Sequence, residues 1–296
     1  MNVRHVASLA IVTLIWGTTW YVIKTQLGTV PPEWSVAYRF GLASLVMFAI
    51  VLATGRQVSF PLRAHVFFFL LGLAQFAANF NFVYYASTVV TSGLIAVAFA
   101  LLMIPNAIMA RVFLGQPISA RFMVGAALGI VGVALLFRQE LIALEGTPAL
   151  AFGLVTTACA VMSASTANVM QASRLAHSLP MISMLAFAMG YGALLDALYA
   201  FWRAGPPVFE ANLIYASGLA YLSIFASAIA FVLYFGVIRA VGPALAAYSG
   251  VLVPFVAMTV STLFEGYMWT GPAIVGAVLS ISGMVIALSA RRSNSD

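Results

Sequence analysis

Between Arg63 and Arg111 the chain runs 47 residues without a formal charge. A water-soluble fold has no use for such a run, because its helices turn a polar face to solvent within a few residues. A bilayer does, since a spanning helix needs about 20 mostly apolar residues. Eight further charge-free runs occur, at 5–23, 40–55, 122–137, 146–173, 175–195, 211–238, 240–264 and 266–290. Charged residues make up 7% of the chain. A soluble domain carries about 25%, so too few remain here to cover a water-facing surface. Disorder is excluded by the 38 aromatic residues, and a disulfide framework by the single Cys159. These features predict an all-α integral membrane protein.

The run 64–110 holds two spans, with a tight turn at the polar stretch from Ser87-Thr88 to Thr91-Ser92-Gly93. The two 16-residue runs reach spanning length by extending past Arg39 and Arg138. Ten transmembrane helices are predicted, over 6–26, 33–54, 65–86, 91–113, 119–138, 149–171, 179–202, 211–237, 243–264 and 268–289. The first run resembles a signal peptide in position, but its 19 residues exceed the usual apolar core. Trp16-Gly17-Thr18-Thr19-Trp20 is also a poor cleavage site, so the run reads as a first span. No stretch is left over for a soluble domain.

Ten spans put both termini on one side. That side carries Arg4, Arg56, Arg63, Arg111, Arg121, Arg174, Arg239, Arg291 and Arg292, against Lys24, Arg138 and Arg203 on the other. An excess of Lys and Arg marks the cytoplasm, so both termini are expected there. The basic residues are scattered singly, which argues against a nucleic-acid partner.

The second half repeats the first. Tyr85 and Tyr234 lie 149 residues apart, as do Gly93 and Gly242, Phe99 and Tyr248, Pro105 and Pro254, and Leu114 and Leu263. After a two-residue insertion Gly125 matches Gly276 and Gly132 matches Gly283. The predicted units are 1–140, 147–290 and a cytoplasmic tail at 291–296. Each unit holds five helices, an odd number, so the second enters the membrane in the opposite sense. Inverted repeats of this kind are typical of secondary transporters, with the site near the midplane between the halves.

The matched prolines sharpen that expectation. Pro105 and Pro254 lack the N–H that would bond back four residues, which frees the carbonyls of Leu101 and Gly250 and marks two hinges. A substrate site is expected around Trp16 and Trp20 on helix 1, with Gln75, Asn79, Asn81 and Tyr85 on helix 3. Phe99 and Tyr248 flank the proline breaks. Helix 6 adds a small polar face (Ser163, Ser165, Thr166, Asn168), and helix 8 adds Tyr221, Ser223, Ser227 and Tyr234. Amides and hydroxyls in a span also glue helices together, and Trp20 has the alternative role of interfacial anchor.

Asp196 and Arg39 are the ionisable residues inside predicted helix ends, where snorkelling or mutual pairing competes with a coupling role. With no histidine at depth, the chain is expected to move substrate down its gradient, or to couple through Asp196 alone. Such a pocket suits a small neutral or zwitterionic amphiphile; nucleotide sugars would ask for Lys or Arg at the midplane. An enzyme is not expected: His5, His65 and His177 fall at cytoplasmic ends, and HExxH and CxxC motifs are missing. No metal or cofactor is called for, and a monomer is the expected unit. A channel is the competing membrane class.

The stretches IWGTTWYVIK at 15–24, YRFGLASLV at 38–46 and FLGQPIS at 113–119 resemble the drug/metabolite transporter superfamily in its EamA-type branch. So do GAALGIVGVALL at 125–136 and GAVLSISGMVIAL at 276–288. The resemblance covers the whole chain, and its aromatic-rich helices are similar to aromatic amino acid exporters of the YddG type. It departs at Gln116, where the family usually has Glu; Glu265 stands at the equivalent place in the second half. The resemblance implies a bacterial inner-membrane exporter of aromatic and other neutral amino acids or related metabolites, working by alternating access. Its cavity would be lined by helices 1, 3, 4, 6, 8 and 9. A multidrug-type exporter of neutral aromatic compounds is the alternative.

Overall fold

The structure, a computed structural model, describes residues 3–115, 117–136, 138, 142, 148–241 and 249–289. Among these residues all regular structure is helical. Seven helices are long and apolar enough to cross a membrane, and three apolar helices are shorter, which makes up the predicted ten. α1 is Val3–Lys24, α2 Pro32–Ala53 and α3 Leu62–Ser87. α4 consists of Ser92–Ala100 and Met103–Leu114; α5 is Ala120–Leu136. In the second half α6 is Pro148–Gln171 and α7 Met181–Ala204. α8 is built from Leu213–Ser223, Ile224–Ile229 and Ala230–Val241, followed by α9 at Ser249–Phe264 and α10 at Gly271–Ser289. A short helix, Arg174–Ser178, links α6 to α7.

Local chemistry sets the helix ends. α2 begins at Pro32, where a missing N–H costs nothing because no intrahelical partner exists there. The Asn212 side chain accepts the Tyr215 N–H at 2.7 Å and caps α8. α4 stops at Gly115, whose φ of 68° lies in the left-handed region that favours glycine.

The inverted relation of the halves is visible where α5 meets α10. A Cβ on Gly132 would overlap the backbone of Gly276 and Ser280, and one on Gly283 would overlap Gly125 and Gly129. Gly125 and Gly276 are repeat partners, as are Gly132 and Gly283. The contact therefore maps onto itself when the halves are exchanged, as two equivalent helices crossing about a local two-fold axis must do. Elsewhere α2 packs along α7, with Ser44 donating to the Ala186 carbonyl at 2.8 Å. α1 packs on α9 through Gly17 against Val256.

Two irregularities interrupt this helical packing. α3 and α8, equivalent helices of the two halves, each contain a π-helical segment, Gly72–Ala78 and Ile224–Ile229. With the 149-residue offset these overlap, and such segments concentrate at functional sites. α4 is broken at Leu101 and Leu102, just before Pro105. The Leu101 carbonyl accepts the Ile104 N–H at 2.9 Å, so the carbonyl expected to be free is taken up by a tightened turn. An aromatic core of Phe40, Phe76, Phe80 and Phe231 fills the space between α2, α3 and α8, with centroids 4.8–5.2 Å apart in successive pairs.

Candidate substrate cleft

Trp16 and Trp20 stand one turn apart on α1 and face the break in α4. Around them lies a cleft with about 550 Å³ of empty space, part of it open to the outside of the molecule. Its walls come from α1, α4, α8 and α9: Trp16, Trp20, Phe99, Leu102, Met103, Asn106, Tyr234 and Val253, with Ala96 and Ala100. Four elements drawn from both halves therefore meet at the broken part of α4, where side chains replace the regular helix contact.

Trp16 is held firmly. Its ring packs edge-on against Tyr234 at 4.8 Å and Phe231 at 5.4 Å, and its indole N–H donates to the Ala226 carbonyl at 3.2 Å. Ala226 belongs to the π segment of α8. Its equivalent in the first half is Ala77, in the π segment of α3, and that carbonyl accepts from the Asn81 amide at 3.0 Å. Each π segment thus has the same carbonyl bonded by a side-chain N–H. Trp20 is different: its ring lies 4.9 Å from Phe99, and its indole N–H is buried without a hydrogen-bond partner. Asn106 accepts from the Ser165 hydroxyl at 2.6 Å, which is how α6 reaches the site.

A charged contact lies next to the cleft along α1. One turn beyond Trp20, Lys24 forms an ion pair with Glu265 at 3.2 Å, and the Ser92 hydroxyl donates to the same carboxylate. The contact ties α1 to the first residue of α4 and the end of α9. Burial raises the proton affinity of the Glu265 carboxyl, but the Ser92 hydrogen bond and the Lys24 charge outweigh it, and its pKa falls below the ordinary value.

Trp16, Trp20, Phe99 and Tyr234 come together in the cleft, and several other predicted residues do not. Leu101 points at Gly129 of α5, and its neighbours Leu102 and Met103 line the cleft instead. Tyr85 donates to Glu33 and lies 3.2 Å from the Tyr199 hydroxyl, outside the cleft lining. Tyr221 joins α8 to α1 through Thr18 at 2.6 Å and the Ile15 carbonyl at 3.1 Å. Gln75 and Asn79 are buried in and beside the π segment of α3, outside the cleft lining. Ser163 is half-buried and stands on α6 just before Ser165, the hydroxyl that serves Asn106. Gly250 is in the first turn of α9, Pro254 is buried within the same helix, and Tyr248 lies outside the described residues. Asn106 is not singled out by the sequence reading; an amide directly after a mid-span proline is the signal that points to it.

Arg39 and Asp196 correct the expectation of snorkelling or pairing. Arg39 is 0% exposed, turned inward with its guanidinium 4.3 Å above the Phe80 ring. Its Nε donates to the Ser227 hydroxyl at 3.0 Å, while both Nη groups lack partners. Asp196 is 1% exposed and accepts from the Asn81 amide at 2.6 Å. Among the described residues the two form no ion pair with each other. The Phe80 ring beneath its guanidinium attracts the Arg39 charge, which explains why the side chain turns in rather than out. Groups of three or more His, Cys, Asp or Glu able to hold a metal are missing among the described residues.

Two inverted five-helix halves enclosing a cleft between them are the architecture of a secondary membrane transporter. The EamA-like transporter family is matched at residues 5–138 and 151–289, and the chain belongs to that family, whose members are transporters rather than enzymes. The chain is 28% identical over 255 residues to "Uncharacterized inner membrane transporter YedA" of Escherichia coli (strain K12), covering 86% of this chain and 80% of that one. It is 27% identical over 130 residues to "Protein PagO" of Salmonella typhimurium, and this match spans only 43% of that protein. A solved crystal structure shares the fold over 99% of both chains, with a TM-score of 0.75 at 20% identity.

Proposed function

We propose that this transporter is an inner-membrane exporter of small amphipathic metabolites, aromatic and other neutral amino acids foremost, working by alternating access. The observation that carries the reading is the aromatic cleft between the halves, with the Lys24–Glu265–Ser92 contact one turn beyond Trp20 read as its closure. With the termini in the cytoplasm, as the distribution of basic residues argues, that closure lies on the outer side. The repeat units are 1–140 and 147–290, followed by the tail at 291–296, and one chain is the working unit. The prolines Pro105 and Pro254 serve as hinges, and Trp16, Trp20, Phe99 and Tyr234 as substrate contacts.

Counterflow of labelled phenylalanine into proteoliposomes tests the reading. Saturable uptake accelerated by unlabelled phenylalanine inside is the expected result, and linear, unaccelerated flux would make the protein a channel. Cysteine labelling from intact cells, silent at position 296 and positive in the 140s loop, tests the orientation. Energy coupling is expected to come from the substrate gradient, or from Asp196 alone. Any stimulation by an imposed pH gradient should vanish in Asp196→Asn, and stimulation that survives would place coupling elsewhere. A multidrug-type exporter of neutral aromatic compounds is the second reading, favoured by the lack of charged side chains among the described residues of the cleft lining.

A further inference from the structure

We propose that the cleft holds its substrate by an oxygen acceptor, carbonyl or carboxyl, carried on an aromatic body, and favours that group over an ammonium. This deepens the exporter reading and rests on it for the identity of the cleft. The primary observation is the Trp20 indole N–H, a group that can only donate. It is buried without a partner, and the Trp20 side chain that carries it lines the cleft. The Trp20 ring is packed on Phe99, so the N–H direction is set by that contact. Trp16, four residues earlier, makes the contrast plain, because its N–H is already bonded to Ala226.

The other polar groups complete the pattern. Asn106 has its carbonyl oxygen bonded by Ser165, which leaves the amide N–H groups for the cleft. The Tyr234 hydroxyl borders the same space. Among the described residues of the lining no side chain carries a negative charge, and the Asn106 carbonyl already accepts from Ser165, so an ammonium is served less well here than an acceptor oxygen. The carboxylate nearest along the helices, Glu265, is committed to Lys24 and Ser92. An acceptor oxygen instead meets an unused donor, and the rings of Trp16, Phe99 and Tyr234 receive an aromatic body beside it. A ligand of this kind satisfies a donor that is otherwise buried unpaired, so binding it repairs a defect of the empty cleft.

Ring-matched competitors decide this. Labelled phenylalanine counterflow is run against 3-phenylpropanoate and 3-phenylpropanamide, which lack the ammonium, and against phenethylamine, which lacks the acceptor. The acid and the amide should compete within about threefold of phenylalanine, and the amine at least about tenfold worse, the size of one charge-assisted hydrogen bond. Preference for the acid over the amide names a carboxylate; the reverse names an uncharged carbonyl. Trp20→Phe keeps the ring and removes the donor. It should weaken the acid and amide by about tenfold and leave the amine unchanged. Asn106→Asp supplies a negative charge to the cleft and should bring the amine up to the level of phenylalanine.

Equal competition by the amine in the native protein would overturn the proposal, as would an unaltered ranking in both variants. Thermal shift of purified protein with 3-phenylpropanamide and phenethylamine separates this from the exporter reading. Stabilisation by the amide alone, without counterflow, would retain the acceptor site and reject amino acid export. Stabilisation by neither compound would reject the acceptor site.

Discussion

Arg39 Nε donates to the Ser227 hydroxyl at 3.0 Å, and Ser227 sits in the π segment of α8 next to Ala226, the residue whose carbonyl holds Trp16. A buried cation and a wall of the cleft therefore act on adjacent residues of one irregular helix turn. A π segment is held by fewer regular bonds than an α-helix, which makes it the part of α8 best able to switch between two arrangements.

This relationship predicts how Arg39 substitutions behave. Removing a buried ion in favour of an apolar side chain of similar size is often neutral or stabilising, by roughly 1–4 kcal/mol. Arg39→Met should therefore melt at the native temperature or above, yet lose at least about tenfold in counterflow rate, since intramembrane charges are kept for function. Arg39→Lys should not restore transport, because an ammonium lacks the flat face that lies on Phe80. Native transport in Arg39→Met would reduce the residue to packing.

The Lys24–Glu265–Ser92 contact should depend on pH with a defined sign. The carboxyl of Glu265 titrates below its ordinary value in the folded protein. Its contribution is therefore present in full above the unfolded pKa of about 4.3, and is lost as pH falls through the lower, folded value. Melting of the native protein and Glu265→Gln at a series of pH values should show a gap at pH 6–7 that closes on acidification. A gap that widened towards low pH would contradict the Lys24–Glu265–Ser92 closure.

For the hinge prolines, Pro105→Ala and Pro254→Ala should each slow turnover severalfold at unchanged yield of monodisperse protein, and the double variant should be slower still. In α4 the tight turn between Leu101 and Ile104 replaces the regular bond that Pro105 cannot make. Alanine permits that bond and straightens the break beside the cleft. Native turnover in the double variant would make both prolines simple kinks.

The glycine seam gives a stability prediction with an internal control. Gly132→Ala places a methyl group into the backbone of α10 and should cost about 1–3 kcal/mol as an overpacked contact. Gly271→Ala, at the start of α10, meets no atom within 4 Å and should be neutral. Thermal melting of the two variants in one detergent checks the difference.

The spans and their inverted pairing are legible in the sequence because both depend on one-dimensional features: distances between charges, and matches at a fixed offset. Trp16, Trp20, Phe99 and Tyr234 are legible as well, being large aromatics beside a proline break. The rest hinges on helix phase. A π segment adds about one residue to a turn and rotates everything beyond it by about 100°. Gly72–Ala78 has neither proline nor any other sequence mark of such a segment. Tyr85 and Tyr234 both lie beyond such a segment, so a continuous α-helical phase gives neither the Glu33 and Tyr199 partners of the one nor the place of the other in the cleft. Arg39 is misread for a related reason, since its distance from the helix end suggests snorkelling. The ring of Phe80 that draws it inward comes from a helix about 40 residues away.

The crossing of α5 and α10 carries one more implication. Where main chains approach this closely, with Ser280, Leu128 and Leu135 beside them, little side-chain bulk is left to yield and sliding of the two helices is resisted. Under the alternating access proposed above, the line acts as an axle: halves that keep this contact turn about it, and the cleft among α1, α4, α8 and α9 changes shape while the seam stays sealed.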